Sequence, residues 1–210
     1  MTDSKESDET GASEALEASL SGVSDESDAR NVTTHDRHDR LAREHLRIVA
    51  AADFDAVDGN VTPDYVNHRS ADEPMGTRQR GPDGLKATIR WLHRAFTDIR
   101  FEFHDVIVDR DRVAALVTMH GQQHGPFVVH DSPDGEVTDV FPSMNRAFSV
   151  EQTHWFRIAD GAVAEHDAVR DDLGMAKQLG WIPPRPDYLI RMVLGRWRER
   201  HAQRRLTGRP

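Results

Sequence analysis

The chain has 210 residues, a formal net charge of −9 at pH 7 and no cysteine. No stretch approaches the roughly 18 consecutive apolar residues of a membrane span, and no apolar signal-type segment follows Met1. Disulfide and thiolate chemistry are excluded, which leaves His and carboxylates as the only metal ligands, and one soluble domain with tails, located in the cytosol, is expected.

The charge is uneven. Residues 1–30 carry nine acidic and two basic side chains and almost no bulky apolar ones, a composition that buries too little surface to offset the entropy of ordering. A disordered acidic tail is expected over 1–35, followed by a folded domain over 36–184. Residues 185–210 hold eight arginines against Asp187 and Glu199. The stretch between is strongly acidic, which argues against a nucleic-acid partner, since polyanion binding needs a basic footprint. Only three of the 27 basic residues are lysine, a surface composition like that of proteins from salt-loving microbes.

From Asp36 to Val57 apolar residues recur at helical spacing through Leu41, His45/Leu46, Val49 and Phe54, predicting one opening helix that stops before Asp58-Gly59-Asn60. Thr62-Pro63-Asp64 reads as a turn into a short extended piece ending at His68. Gly81-Pro82-Asp83-Gly84 starts a second helix through Leu85, Ile89, Leu92 and Phe96, with Trp91 beside the stripe. Strand signals follow. Ile99, Phe101, Phe103 and Ile107 alternate with polar residues, and a turn at Asp109 to Arg112 leads to a second strand over 113–119. Asp105 falls on the Phe101/Phe103 face unless a bulge turns it outward. Residues 126–147 are polar and turn-rich and read as a long loop or loose hairpin.

Asp160-Gly161 between two β-forming runs is a type I′ hairpin signal. Unbulged pairing outward from Ala159 and Ala162 sets His154 opposite Asp167, an imidazole and a carboxylate at the end of an apolar wall. Helices followed by antiparallel strands argue for an α+β domain with helices on one face of a curved sheet. The segment from Asp187 places Leu189, Ile190, Val193, Leu194 and Trp197 on one stripe among arginines. This basic amphipathic helix is expected to dock on its own domain or on a dimer partner, with an anionic membrane or acidic partner as the alternative.

The set Gly81-Pro82, Trp91, Phe96, Gly121, His124-Gly125, Phe148, then Glu151-Gln152-x-His154-x-x-Arg157-Ile158-x-Asp160-Gly161, His166, Asp171, Gly174 and Gln178-Leu179-Gly180 resembles the SnoaL-like polyketide cyclases over about Leu41 to Pro184. The resemblance implies the cone-shaped α+β barrel of the NTF2-like superfamily, which also includes ketosteroid isomerase, with an apolar pocket for a small organic ligand. It also implies an aspartate that acts as acid/base in an intramolecular aldol closure without metal or cofactor. That aspartate follows two residues after the histidine matching His166, where this chain has Ala168. The unbulged register puts Asp167 on the face of His154, whereas the family arrangement needs a bulge and leaves Ala168 facing the pocket. The chain is also about ten residues longer than the cyclase pattern between His124 and Phe148, so Phe127 and Phe141 are candidates to cap the pocket mouth.

The candidate catalytic residues are therefore Asp167, as acid/base, and His154, orienting it or a substrate oxygen, with Asp105 and Asp171 in reserve. His68, Trp91, His124 and Phe127 are the candidate substrate-binding residues. Each has a plainer role open to it: solvated loop for His68, core packing for Trp91, turn residue for His124. No metal site is expected from His120 and His124, because four residues of strand span roughly 13 Å. Two function classes remain: a cofactor-independent cyclase or isomerase acting on a small carbonyl compound, and a binding or assembly module that kept the pocket and lost the chemistry. A homodimer is expected, since sheets of this kind commonly pair across their open face.

Overall fold

The structure is a computed structural model and describes residues 32–131 and 133–207. Most of the segment expected as an acidic tail lies outside the described residues. Helix α1 runs over 32–51, and α2 follows as Phe54–Asn60. The single opening helix read from the sequence is thus two. The break falls at Ala52, in the left-handed region (φ 53°), and Asp53 caps the new helix by accepting from Ala56 N–H at 3.2 Å.

Strand β1 (Val61–Asn67) begins where a turn was expected. Two short 3-10 turns, Ser70–Asp72 and Met75–Arg78, lead to α3 (Pro82–Ala95). Gly81 precedes α3 with φ 76°, and a side chain there would collide with the Pro63 carbonyl, so glycine is required twice over. Then come β2 (Phe96–Asp109), β3 (Arg112–Gln123), the short hairpin β4 (Phe127–Val129) and β5 (Asp139–Phe141), β6 (Ala147–Ala159) and β7 (Ala162–Arg170). Helices α4 (Asp172–Leu179) and α5 (Pro186–Thr207) follow.

The main sheet has the order β1-β7-β6-β3-β2. It is curved and mixed rather than wholly antiparallel, because β1 joins parallel to β7, and it does not close into a barrel. Along β3 and β6 the inward positions, such as Val113, Ala115, Val117, Phe156 and Ile158, are buried, whereas Leu116 and Trp155 on the other face are exposed. Leu46 and Val49 of α1, Val57 of α2, and Leu85 and Ile89 of α3 pack in the same core as the inward residues. Helices therefore cover one face of the sheet.

Two bulges set which side chains reach that core. In β2 the register slips between Phe103 and Asp105, which turns Asp105 outward opposite Leu116. Ile107, read as an inward residue, is displaced with it and is 61% exposed. In β7 the slip falls between the Arg157 and Ile158 pairings, with Ala164 as the extra residue.

Helix α5 docks on its own domain, one of the two partners expected, but not through its apolar stripe. The stripe Leu189, Ile190, Val193, Leu194 and Trp197 is exposed. Tyr188 is buried instead, Gly195 lies against Val140, Glu199 pairs with Arg94 at 2.6 Å, and Arg200 donates to the Val137 carbonyl at 2.8 Å. The docking face joins Tyr188 and Met192, packed in an aromatic cluster, to polar groups that satisfy backbone carbonyls of the β4–β5 region.

Candidate functional site

Asp160 (φ 50°) and Gly161 (φ 76°) form the expected tight turn, and Ala159 pairs with Ala162. Beyond it, the bulge changes the outcome. His154 lies opposite Ala168, and Asp167 lies opposite Trp155 on the outer face, exposed, with its carboxylate accepting from Ala168 N–H at 2.7 Å. The expected pairing of His154 with Asp167 is corrected. An unbulged strand would turn Glu165 and Asp167 both inward, and burying two carboxylates is costly. The bulge turns His166, Ala168 and Arg170 inward and leaves Glu165 paired with Arg157 at 2.7 Å.

Between α1, α3 and the inner face of the sheet lies a partly open cavity of about 70 Å³. Apolar side chains such as Leu46, Val49, Leu85 and Phe101 form most of its wall, and Ala168 lies in the wall too. Polar groups converge from β1, β6 and β7, from α1 and α3, and from the segment between β1 and α3. On β6, Gln152 and His154 are 4% and 5% exposed. Gln152 Nε2 donates to Met119 Sδ at 3.2 Å and its Oε1 accepts from His154 Nε2–H at 2.9 Å. With that proton placed on Nε2, His154 Nδ1 accepts from His166 Nε2–H at 2.9 Å, the tautomers being assigned from the network. The two rings stack at 5.2 Å. On α1, His45 donates from Nδ1 to Asn60 Oδ1 at 2.8 Å.

All three histidines are held neutral. Burial lowers His45 to about 4 and His154 to about 3, where the neighbouring His45 and Arg170 add to the effect. Burial likewise pushes His166 well below the usual imidazole range, reinforced by His154 and His45. Both ring nitrogens of His154 are engaged, so in this arrangement it orients its neighbours and closes the wall.

Two further groups stand out. Among the described residues Glu73 is the only carboxylate that lines the cavity, and it is 2% exposed. Burial raises it to about 7, against the opposing hydrogen bond from Thr88 and the charge of Arg170, with Asp72 adding to the rise. Thr88 Oγ1 donates to Glu73 Oε2 at 2.8 Å and accepts from Asn67 Nδ2 at 3.4 Å. Tyr65, 1% exposed, lines the same cavity with a hydroxyl that has no hydrogen-bond partner among the described residues. Burial raises its pKa, and the charge of Glu73 raises it further.

Of the residues proposed from sequence, the structure brings His154 and Trp91 to the cavity. Trp91 also donates from Nε1 to the Val128 carbonyl at 2.8 Å. His68 is exposed and contacts Glu165 at 3.1 Å. His124 is exposed, with Nε2 on the His93 carbonyl at 3.2 Å. Phe127 and Phe141 do not cap the mouth; both stack on Trp181, at 5.3 and 4.5 Å, in a separate aromatic cluster. They are drawn there because rings bury more area against one another than across an open rim. Asp171 caps α4, accepting from Gly174 N–H at 2.7 Å. Sequence reasoning missed Glu73, Tyr65 and His45 as site residues. His45 left a signal, a polar residue on the apolar stripe of α1, whereas Glu73 sits between two 3-10 turns where no periodicity marks burial. Among the described residues no cluster of three or more His, Asp and Glu could hold a metal ion, and no helix is long and apolar enough to cross a membrane.

A helix-covered curved sheet with a polar-ended apolar cavity defines the NTF2-like class of small-ligand α+β domains. The family model of the SnoaL-like polyketide cyclases matches residues 39–179. The chain is 31% identical over 112 residues to aklanonic acid methyl ester cyclase DnrD of Streptomyces peucetius, covering 51% of this chain and 68% of that protein. It is 29% identical over 134 residues to nogalonic acid methyl ester cyclase of Streptomyces nogalater, covering 63% and 88%. Among solved structures, TsrD from Streptomyces laurentii superposes with a TM-score of 0.55 at 28% identity, over 69% of this chain and 95% of that one. A SnoaL-like polyketide cyclase from Agrobacterium tumefaciens str. C58 superposes with a TM-score of 0.51 at 16% identity, over 68% and 98%, a likeness of fold alone. This chain belongs to the SnoaL-like polyketide cyclase family.

Proposed function

We propose that the protein is a cofactor-independent cyclase. It binds a small, mostly apolar carbonyl-bearing molecule in the cavity and closes a ring by moving a proton within it. The observation that carries this reading is the combination of an apolar wall with buried polar groups held ready but incompletely paired, the Tyr65 hydroxyl above all. Buried polar groups without partners destabilise a fold and persist where a ligand completes them. The relatives named as cyclases of aklanonic and nogalonic acid methyl esters supply the substrate class, methyl esters of polyketide acids.

The test is incubation with each of those two esters. Conversion to a product of unchanged mass and altered retention is expected, because intramolecular aldol addition is an isomerisation. Binding without conversion favours the second reading, a ligand-binding module, to which Ala168 in the cavity wall lends support. No binding of either ester contradicts both for this substrate class.

The outer face of the sheet supports a homodimer in the same proposal. Leu116, Trp155 and Val169, at 39%, 51% and 70% exposure, are apolar residues on the face opposite the cavity. Pairing of two copies there is checked by light scattering of Trp155→Arg, which is expected to halve the mass seen for wild type. A monomeric wild type contradicts it.

A further inference from the structure

We propose that Glu73 has taken over the proton transfer that the cavity's Ala168 cannot perform, with the Tyr65 hydroxyl binding the substrate oxygen on which charge develops. This inference rests on the cyclase reading and names the groups that carry it out. Three observations place the role here. Glu73 is the one carboxylate in the cavity wall and is almost wholly buried, although no cation forms an ion pair with it within 4 Å among the described residues. Its carboxylate is fixed by the Asn67–Thr88 hydrogen-bond chain, so its direction is set before a ligand arrives. Tyr65 presents a buried, unpartnered donor to the same space.

The surroundings suit the task. Asp72 on the same segment and Arg170 on β7 oppose each other in their effect on Glu73, and Arg170 is itself shared with Asp72 at 3.2 Å and Asp172 at 3.3 Å. Arg69 also lines the cavity, and the facing histidines 45, 154 and 166 are neutral. Burial thus dominates and holds Glu73 near 7, where both its forms are populated at neutral pH.

In the step itself, the Glu73 carboxylate takes a proton from the carbon beside a carbonyl. The C–H electron pair becomes an enolate, whose oxygen accepts from Tyr65 O–H. The enolate carbon then bonds to a second carbonyl carbon of the same molecule. The π pair of that carbonyl moves to its oxygen, which takes the proton back from Glu73. The product is an isomer and Glu73 is again ionised.

The experiment compares wild type, Glu73→Gln, Glu73→Asp and Tyr65→Phe with nogalonic and aklanonic acid methyl esters, measuring kcat against pH and ester affinity separately. Glu73→Gln is expected to lower kcat roughly 100-fold or more with affinity nearly unchanged, and to remove the acid limb near neutral pH. Glu73→Asp restores part of the rate, and Tyr65→Phe lowers kcat while the fold persists. Equal turnover by wild type and a folded Glu73→Gln overturns the role of Glu73 and leaves the cyclase reading standing. A wild type that converts neither ester overturns both.

Discussion

The molecule has two aromatic and apolar interiors, and they treat their polar atoms in opposite ways. Under β4, β5, α4 and α5, every ring donor of the aromatic cluster is matched: Trp91 Nε1 to the Val128 carbonyl at 2.8 Å, Trp181 Nε1 to Gln123 Oε1 at 3.1 Å, and Tyr188 O–H to the Pro142 carbonyl at 3.1 Å. In the cavity, Tyr65 lacks a partner, Glu73 is pushed far from its ordinary acidity and three histidines are held neutral. Dense packing with matched donors is what stability selects. A hollow site with unmatched polar groups costs stability. Trp91 borders both interiors, which is how the packed cluster holds the cavity wall in place.

The contrast breaks first at Trp181. Its ring stacks on Phe127 and Phe141 and is 4% exposed, so Trp181→Ala is expected to destabilise by about 3–5 kcal/mol in chemical denaturation. A loss below about 1 kcal/mol would mean the cluster is not the packed interior described.

The cavity should respond in the other direction. Glu73 is raised when folded, so its protonated form is favoured, and its contribution to stability is full below the ordinary 4.5 and lost as pH climbs through about 7. Above that window, Glu73→Gln is expected to be the more stable protein, by up to about 3 kcal/mol, and near pH 4 the two should converge. Stability curves against pH that stay parallel would contradict the assignment. The histidines act with opposite sign. Their folded values are lowered, so their contribution is present above 6.5 and lost as pH falls toward about 4 for His45 and about 3 for His154. His45→Gln is therefore expected to flatten the acid limb of the curve, read as a smaller fall in denaturation midpoint between pH 7 and 5.

The smallest effect belongs to Asp167. It faces solvent beside Trp155, so Asp167→Asn should leave stability within about 0.5 kcal/mol and ester turnover within about two-fold. A large loss of turnover would return Asp167 to the site.

How far the sequence carries can be read from these same residues. The Asp160-Gly161 turn, the start of α3 at Gly81-Pro82 and the strands β2, β3, β6 and β7 follow from local chemistry: positive φ, a proline at the first helical turn, alternation. So did the burial of His154. What local pattern could not carry was register. A single extra residue at Ala164 exchanges Asp167 for Ala168 at the wall, and another at His104 sends Asp105 and Ile107 outward. Those bulges answer to burial of charge across strands, a tertiary cost that no single strand reveals. Glu73 was hidden for a related reason, since its burial is made by β1 and α3 closing over an irregular segment. Helix α5 docks on its own domain as one reading had it, but through Tyr188, Met192 and Gly195 with Glu199 and Arg200 beside them, and hydrophobicity alone pointed to the opposite stripe.

The central claim, that the cavity maintains a proton-transfer carboxyl at the expense of stability, is tested most directly by 13C NMR titration of protein labelled at glutamate side chains. The account predicts one carboxyl that titrates near 7, absent from the spectrum of Glu73→Gln and shifted when a carbonyl-bearing ligand enters. If every glutamate titrates near its ordinary value of about 4.3, the claim is contradicted.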